Sequence, residues 1–411
     1  MLRSWQDAVA RFRALLRSDA VGVRAGFVAL LLSSGGDLLA GLTLGSITGT
    51  LEALPGLLVL VPAAIGMRGN VFGALGSRLS TAIHTGTFQL STRRDTVVGQ
   101  NLAASLSLSL SISLALALLA KVISVGFGLE NTISVADFVV ISVIGGFLSS
   151  IVVMAITVGV ASLAVRRDWD LDNVAAPIVT AAGDMVTLPA LFLATYLVGV
   201  AWVTPVVAVL SAAAGLVALV ASLRSRAPIL RRIARESLPV LLIAGSIDIV
   251  AGLTIEKRFE SFLVYPALLV LVPPFLEDSG ALGGILSARV ATKLHLGILE
   301  PRRWRLRAVI EDVLLVFVYA VPVFLLLGVS ADIAAAVAGL ESPGSLEMIG
   351  VALFAGAIST TFAVLVGFYG AVASFRLGLD PDNHGIPIVT SSLDLLGALA
   401  LILAIVTLGV T

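Results

Sequence analysis

The chain contains no cysteine and only three histidines. Disulfides, thiolate metal sites and cysteine nucleophiles are therefore excluded, and a histidine-rich transition-metal centre is disfavoured. Any metal bound here meets oxygen ligands. Charge is also scarce, at 13% of residues, where a soluble domain carries about 25%. With 58% of its 411 residues hydrophobic, the composition is that of a polytopic membrane protein. Formal net charge is zero, which leaves no electrostatic footprint for nucleic-acid binding.

What is present is a series of long apolar runs. Matched against the length needed to cross a bilayer, they predict an all-α protein with eleven spanning helices. The expected limits are 24–50, 54–80, 97–125, 135–164, 173–198, 203–223, 237–256, 262–288, 307–329, 346–374 and 384–409. Residues 1–23 do not read as a signal peptide, because no apolar core follows their charges at once. Trp5, Val9, Phe12, Leu15 and Leu16 instead fall at helical spacing opposite Arg3, Arg11, Arg13 and Arg17. That pattern predicts an amphipathic helix lying on the cytoplasmic face.

One set of helix ends carries Arg93, Arg94, Arg166, Arg167, the cluster Arg224, Arg226, Arg231, Arg232 and Arg235, and Arg302 to Arg307. The opposite set is mostly acidic, with Glu52, Glu130, Asp137, Glu260, Asp332 and Glu341. The positive-inside rule then places the N-terminus inside and the C-terminus outside, in a multi-pass protein of the cell membrane.

The second half repeats the first. The segment from Gly36 aligns with that from Ile247 at an offset of 247 − 36 = 211, pairing Asp37 with Asp248, Pro62 with Pro273 and Arg78 with Arg289. Later, Leu171 onwards aligns with Pro381 onwards at 381 − 171 = 210, pairing Asp184 with Asp394. The chain divides into 1–23, a first repeat over 24–198, a linker over 199–236 and a second repeat over 237–411. Each repeat has five spans; the unpaired span at 203–223 reverses the chain once more, so both repeats run the same way. The expected relation is a pseudo-two-fold axis along the membrane normal. One chain then supplies both copies, so a monomer suffices, with a homo-oligomer left open.

Seven charged side chains fall deep inside the apolar runs: Asp37, Asp184, Asp248, Glu277, Asp278 and Asp394, with Arg68 as the lone cation. Each lies roughly half a bilayer from the nearest boundary. A charge at that depth costs about 2.5–3.5 kcal/mol on insertion scales, so it marks a partner, water or an ion. An acid-rich zone at one depth reads as a route for a cation. Asp184 and Asp394 are the strongest pair, each following an Asp-Asn and a Pro in a run of small residues. A buried acid bonded to threonine or backbone is the bland alternative. Asp172 and Asp382 read as N-caps.

Pro62 to Asn70 is expected to interrupt its helix, where it would either line a water-filled cavity or be packed in protein. Its partner, Pro273 to Ala281, exchanges Gly66 and Met67 for Glu277 and Asp278, Arg68 for Ser279, and Asn70 for Ala281. Across a pseudo-two-fold, Arg68 would approach Glu277 or Asp278, either as a clamp or as a competitor of the ion. Arg78 and Arg289 are expected to snorkel, and His84 and His295 to sit at helix ends without binding metal.

The segments VPAAIGMRGNVFGALGSRLST and LDNVAAPIVTAAGDMVTL, each with its second copy, resemble the membrane domain of MgtE-type magnesium channels. They look closer still to the two-repeat solute carrier 41 family. The resemblance covers nearly the whole chain and implies a helical pore for divalent cations, chiefly magnesium. It places the ion-binding acids on Asp184 and Asp394, and the Gly-Asn of the second helix on Gly69 and Asn70. About 20 residues precede the first span, so a form without soluble regulatory domains is expected.

Magnesium keeps several waters and meets one or two carboxylates, which suits two aspartates. Manganese and cobalt are further candidates. The metal set expected from the sequence is Asp184, Asp394, Asn70, Glu277, Asp278, Asp37 and Asp248, with Arg68 and Gly69 modulating the pore. No nucleophile–base motif is present, so an enzyme is not expected. A sodium- or proton-coupled exchanger and a non-transporting magnesium sensor stay open beside the pore.

Overall fold

The computed structural model describes residues 20–93, 95–129, 131–167, 171–300, 309–378 and 385–410, without the side chains of 20–23, 25 and 171–177. The expected amphipathic arm, Arg94, Glu130, Arg302 to Arg307, Asp382 and Asn383 lie outside those residues, as does the side chain of Asp172 with its capping role.

The described chain is helical throughout. In order it forms α1 (Ala20–Ser46), α2 (Thr48–Ala53), α3 (Leu57–His84), α4 (Val97–Gly126), α5 (Val135–Arg167), α6 (Leu171–Thr195) and α7 (Val203–Leu223). Then follow α8 (Pro228–Glu256), α9 (Phe259–Val264), α10 (Ala267–His295), α11 (Ile310–Val337), α12 (Ser345–Arg376) and α13 (Ile386–Leu408). Among the described residues, eleven of these helices are long and apolar enough to cross a membrane, as the hydropathy predicts. The short α2 and α9 begin at matching repeat positions, 259 − 48 = 211.

The helices group into two compact units that do not coincide with the sequence repeats. The central unit is Leu39–Leu263; the C-terminal unit joins Val264 onwards to the part of α1 up to Leu38. In the central unit α8, which opens the second repeat, packs on α3 and α4 of the first. In the C-terminal unit the first half of α1, which opens the first repeat, lies against α10 and α11 of the second. Each unit thus takes its leading helix from the other repeat. Within their units α3 and α10 are the most enclosed helices, with 72% and 78% of their apolar windows buried. For α7 that share is 22%, and its exposed Val206, Val209, Leu210, Leu216 and Val217 form the surface that lipid would cover.

Local chemistry accounts for the helix ends. Thr96 caps α4 by accepting from the Gly99 N–H at 3.1 Å. Ser134 and Asp137 form a reciprocal capping box at the start of α5. Gly56, at φ +96°, turns the chain into α3. Its N–H and that of Leu58 donate to the two carboxylate oxygens of Glu256 on α8, at 2.7 and 3.1 Å. A carboxylate at a helix N-terminus also opposes the positive end of the helix dipole.

Three expectations need correction. First, Pro62 does not interrupt α3, nor do Pro273 and Pro274 interrupt α10. A proline removes one hydrogen bond, here to the Leu58 carbonyl. Gly252 of α8 lies so close that a methyl there would stand 2.7 Å from that oxygen and 2.6 Å from the Val59 oxygen. The glycine backbone therefore covers the freed carbonyl with weak Cα–H donors. Second, Arg231, Arg232 and Arg235, expected ahead of a span that begins at residue 237, are exposed residues on the first turns of α8. Third, Arg78 and Arg289 do not simply snorkel. Each donates Nε to a side chain one helix on, Arg78 to Asn101 and Arg289 to Asp312, both at 2.8 Å. His84 and His295 do end their helices.

Candidate cation site

The C-terminal unit gathers acids around α10. Asp37 on α1, Asp278 on α10 and Asp394 on α13 are all buried, and Glu277 is half-buried. The Ser34 hydroxyl bonds Asp278, with Oδ1 at 2.8 Å and Oδ2 at 3.0 Å. Asp37 follows Ser34 by three residues and so shares its face of α1, about 5–6 Å further along. Asp394 sits between two contacts of α13 with α10. Thr390 lies where a methyl on Gly280 would be 3.5 Å away, and a methyl on Gly397 would meet Leu276 at 3.2 Å and Ser279 at 3.6 Å. Asp394 is therefore level with the turn of α10 that carries Glu277 and Asp278.

The central unit holds Asp184 on α6, Asp248 on α8 and Arg68 on α3, all buried, with Asn70 half-buried beside Gly69. Asp248 precedes Gly252 by one turn, on the face of α8 that meets α3. Gly183, next to Asp184, packs on the stem of Arg68: a methyl there would be 3.5 Å from the arginine Cβ. A methyl on Gly69 of α3 would lie 3.9 Å from the Thr180 methyl of α6. Small residues thus bring α3 and α6 together beside the acid.

The Arg68 guanidinium points the other way. Nε donates to Ser149 Oγ at 3.1 Å, Nη1 to the Ala64 carbonyl at 3.3 Å, and Nη2 to Ser113 Oγ at 3.4 Å. Nη1 also reaches Met67 Sδ at 3.9 Å, and all four acceptors are neutral and lie in the arginine's own unit. Ser113 ends a polar stripe on α4, at four-residue spacing, with Asn101, Ser105 and Ser109. Asn101 and Ser105 accept from Arg78, and Ser109 bonds Ser150. The sequence reading passed over this stripe, although the alternating run Ser105 to Ser113 shows it; every second serine in that run falls on one helix face. Ser34 was missed for a different reason: it stands in the run Ser33-Ser34-Gly35-Gly36 just before Asp37, and an uncharged hydroxyl there carries no sign of the helix it will bond.

Among the described residues no three acids or histidines come together as a ready-made chelating group. The donors present are single carboxylates, hydroxyls and backbone. Oxygen donors of this kind suit a hard cation.

Comparison with known proteins agrees with this chemistry. The MgtE family model, described as a divalent cation transporter, matches residues 61–194 and 272–404. The two matches are themselves offset by 272 − 61 = 211 and 404 − 194 = 210, the spacing of the internal repeat. Solute carrier family 41 member 3 of Rattus norvegicus is 27% identical over 402 residues, covering 90% of this chain and 84% of the relative. Its Mus musculus counterpart is 28% identical, over 83% of this chain and 73% of the relative. Solute carrier family 41 member 2 of Homo sapiens is 25% identical, over 97% and 73%. No solved structure matches. The protein is accordingly a transporter and not an enzyme, and with both repeats matched over most of their length, the chain belongs to the MgtE family of divalent cation transporters.

Proposed function

We propose that this protein carries magnesium across the cell membrane, with its N-terminus inside and its C-terminus outside. The pore follows the pseudo-two-fold axis between the repeats, and Asp184 and Asp394 hold the hydrated ion. Asp37, Asp248, Asp278 and Glu277 supply further negative potential along the route, Gly69 and Asn70 shape its wall, and Arg68 modulates it. Manganese and cobalt, which also accept octahedral oxygen coordination, are the secondary ions.

The observation that carries the reading is the burial of Asp184 and Asp394 in the middle of repeat-matched helices, both within segments that match a divalent cation transporter. Burying a carboxylate at the centre of a spanning helix is costly, and a passing cation offsets that cost. The test is magnesium flux into proteoliposomes. Asp184→Asn combined with Asp394→Asn should abolish uptake while the protein keeps its elution profile and melting temperature. Unchanged flux in the folded double variant would refute the proposal.

A further inference from the structure

The two units fill the same internal position with different chemistry. The matched pairs Arg78–Asn101 and Arg289–Asp312 set the offset between α4 and α11 at 312 − 101 = 211. Between α5 and α12 the offset is 210. Ser150 donates to the Gly146 carbonyl at 2.6 Å, and Thr360 donates to the Gly356 carbonyl at 2.6 Å. Gly146 and Gly356 are therefore equivalent, and so are Ser113 and Phe324.

What lies over each glycine differs. A methyl on Gly146 would meet Arg68 Nη2 at 2.3 Å and Ser113 Oγ at 2.4 Å. A methyl on Gly356 would meet Phe324 Cδ2 at 2.4 Å and Cγ at 2.5 Å. From the same hypothetical methyls the Cβ atoms of Ser113 and Phe324 lie 3.2 and 3.0 Å away, so the helices approach to a similar degree at this position while its filling differs. In the central unit a guanidinium occupies the space. In the C-terminal unit a phenyl ring occupies it, stacked on Phe275 at 5.0 Å, and Ser279 stands where the arginine would begin. Ser359, the counterpart of Ser149, is left buried without a hydrogen-bond partner, as expected where the arginine that bonded it has been exchanged for serine. The stripe that binds the two arginines on α4 becomes Val316, Ala320 and Phe324 beyond Asp312.

We infer that Arg68 is an affinity-setting residue, a tethered cation that weakens the central unit's hold on the transported ion, so that Asp394 and its unit contribute more to cation affinity than Asp184 and its unit. The inference rests on the proposal that these carboxylates bind the ion. Arg68 carries its charge against neutral partners, so no carboxylate in its hydrogen-bonded shell cancels that charge. For an illustrative separation of about 10 Å and an effective dielectric near 20, Coulomb repulsion between a unit charge and a divalent ion is worth on the order of a hundredfold in affinity. The C-terminal unit has no such charge at the equivalent position.

The experiment is a magnesium titration of the purified full-length protein by calorimetry. In the wild type, Asp394→Asn should weaken binding at least about tenfold and Asp184→Asn no more than about threefold. Arg68→Ser with Ser113→Phe gives the central unit the filling of its counterpart, and on that background the two losses should become equal. Adding Ser279→Arg with Phe324→Ser to that swap should invert their order. Arg68→Gln, which keeps an amide within reach of Ser149, should narrow the gap without repacking the position. A purely structural arginine would move melting temperature and leave the ratio of the two losses alone. Equal losses in the wild type, or a gap unchanged in a folded Arg68→Gln protein, overturn the inference. If neither aspartate affects binding, the proposed function fails instead.

Discussion

Ser34 of α1 and Asp278 of α10 join two helices that belong to different sequence repeats, through a hydroxyl 2.8 Å from one carboxylate oxygen and 3.0 Å from the other. In the central unit the same two positions are Gly245 and Met67, which form no such bond. Loss of the hydroxyl should loosen α1 from its unit. Ser34→Ala is expected to cost about 1 kcal/mol, the scale of hydrogen bonds between membrane helices. Thermal unfolding in detergent reads this as a lower midpoint, and Ser34→Thr should restore most of it.

Asp312 is fully buried and receives both Arg289 and Lys293, whereas Asn101 at the matched position binds Arg78 through a neutral amide. Asp312→Ala strands two cations whose side chains remain 30% and 24% exposed. Partial hydration discounts the full penalty of a broken buried pair, and about 2 kcal/mol is expected. Asn101→Ala should cost about half of that. The order of the two melting temperatures is the check.

Gly252 has no room for a side chain, since a methyl would press on two carbonyl oxygens of α3. Gly252→Ala should push α8 away from α3 and cost about 1–3 kcal/mol. It should also strain the Glu256 cap on Gly56 and Leu58. Glu256→Gln, which keeps an acceptor, is expected to be milder than Glu256→Ala in the same melt.

The absence of cysteine makes orientation directly measurable. In a chain with its N-terminus inside, a thiol from Arg226→Cys should be shielded in intact cells from a membrane-impermeant maleimide. A thiol from Glu341→Cys should label at once. The reverse pattern would invert the assigned topology.

The spans were legible because hydropathy alone fixes which segments cross, and α7 was delimited to the residue. The repeat was legible because Asp, Pro and Arg recur at one spacing. The pairing of leading helices was not, since an apolar face carries no label for its partner. Arg68 was expected beside an acid; its observed partners are Ser113, Ser149 and a carbonyl. Hydroxyls in a membrane helix bond their own backbone at little cost and so leave no trace in a charge map, as Ser149 does with Gly145. Pro62 misled for the opposite reason: it stands out in sequence, yet its one lost bond, to the Leu58 carbonyl, is covered by Gly252.

The exchange of leading helices between repeats has a consequence for how such a protein is made and divided. A fragment ending at Val198 would carry α3 to α6 without α8, and the complementary fragment would carry α10 to α13 without α1. Neither piece would own its complete bundle, whereas the two synthesised together would restore both. Separate genes for the two halves would therefore depend on each other's product to complete either bundle.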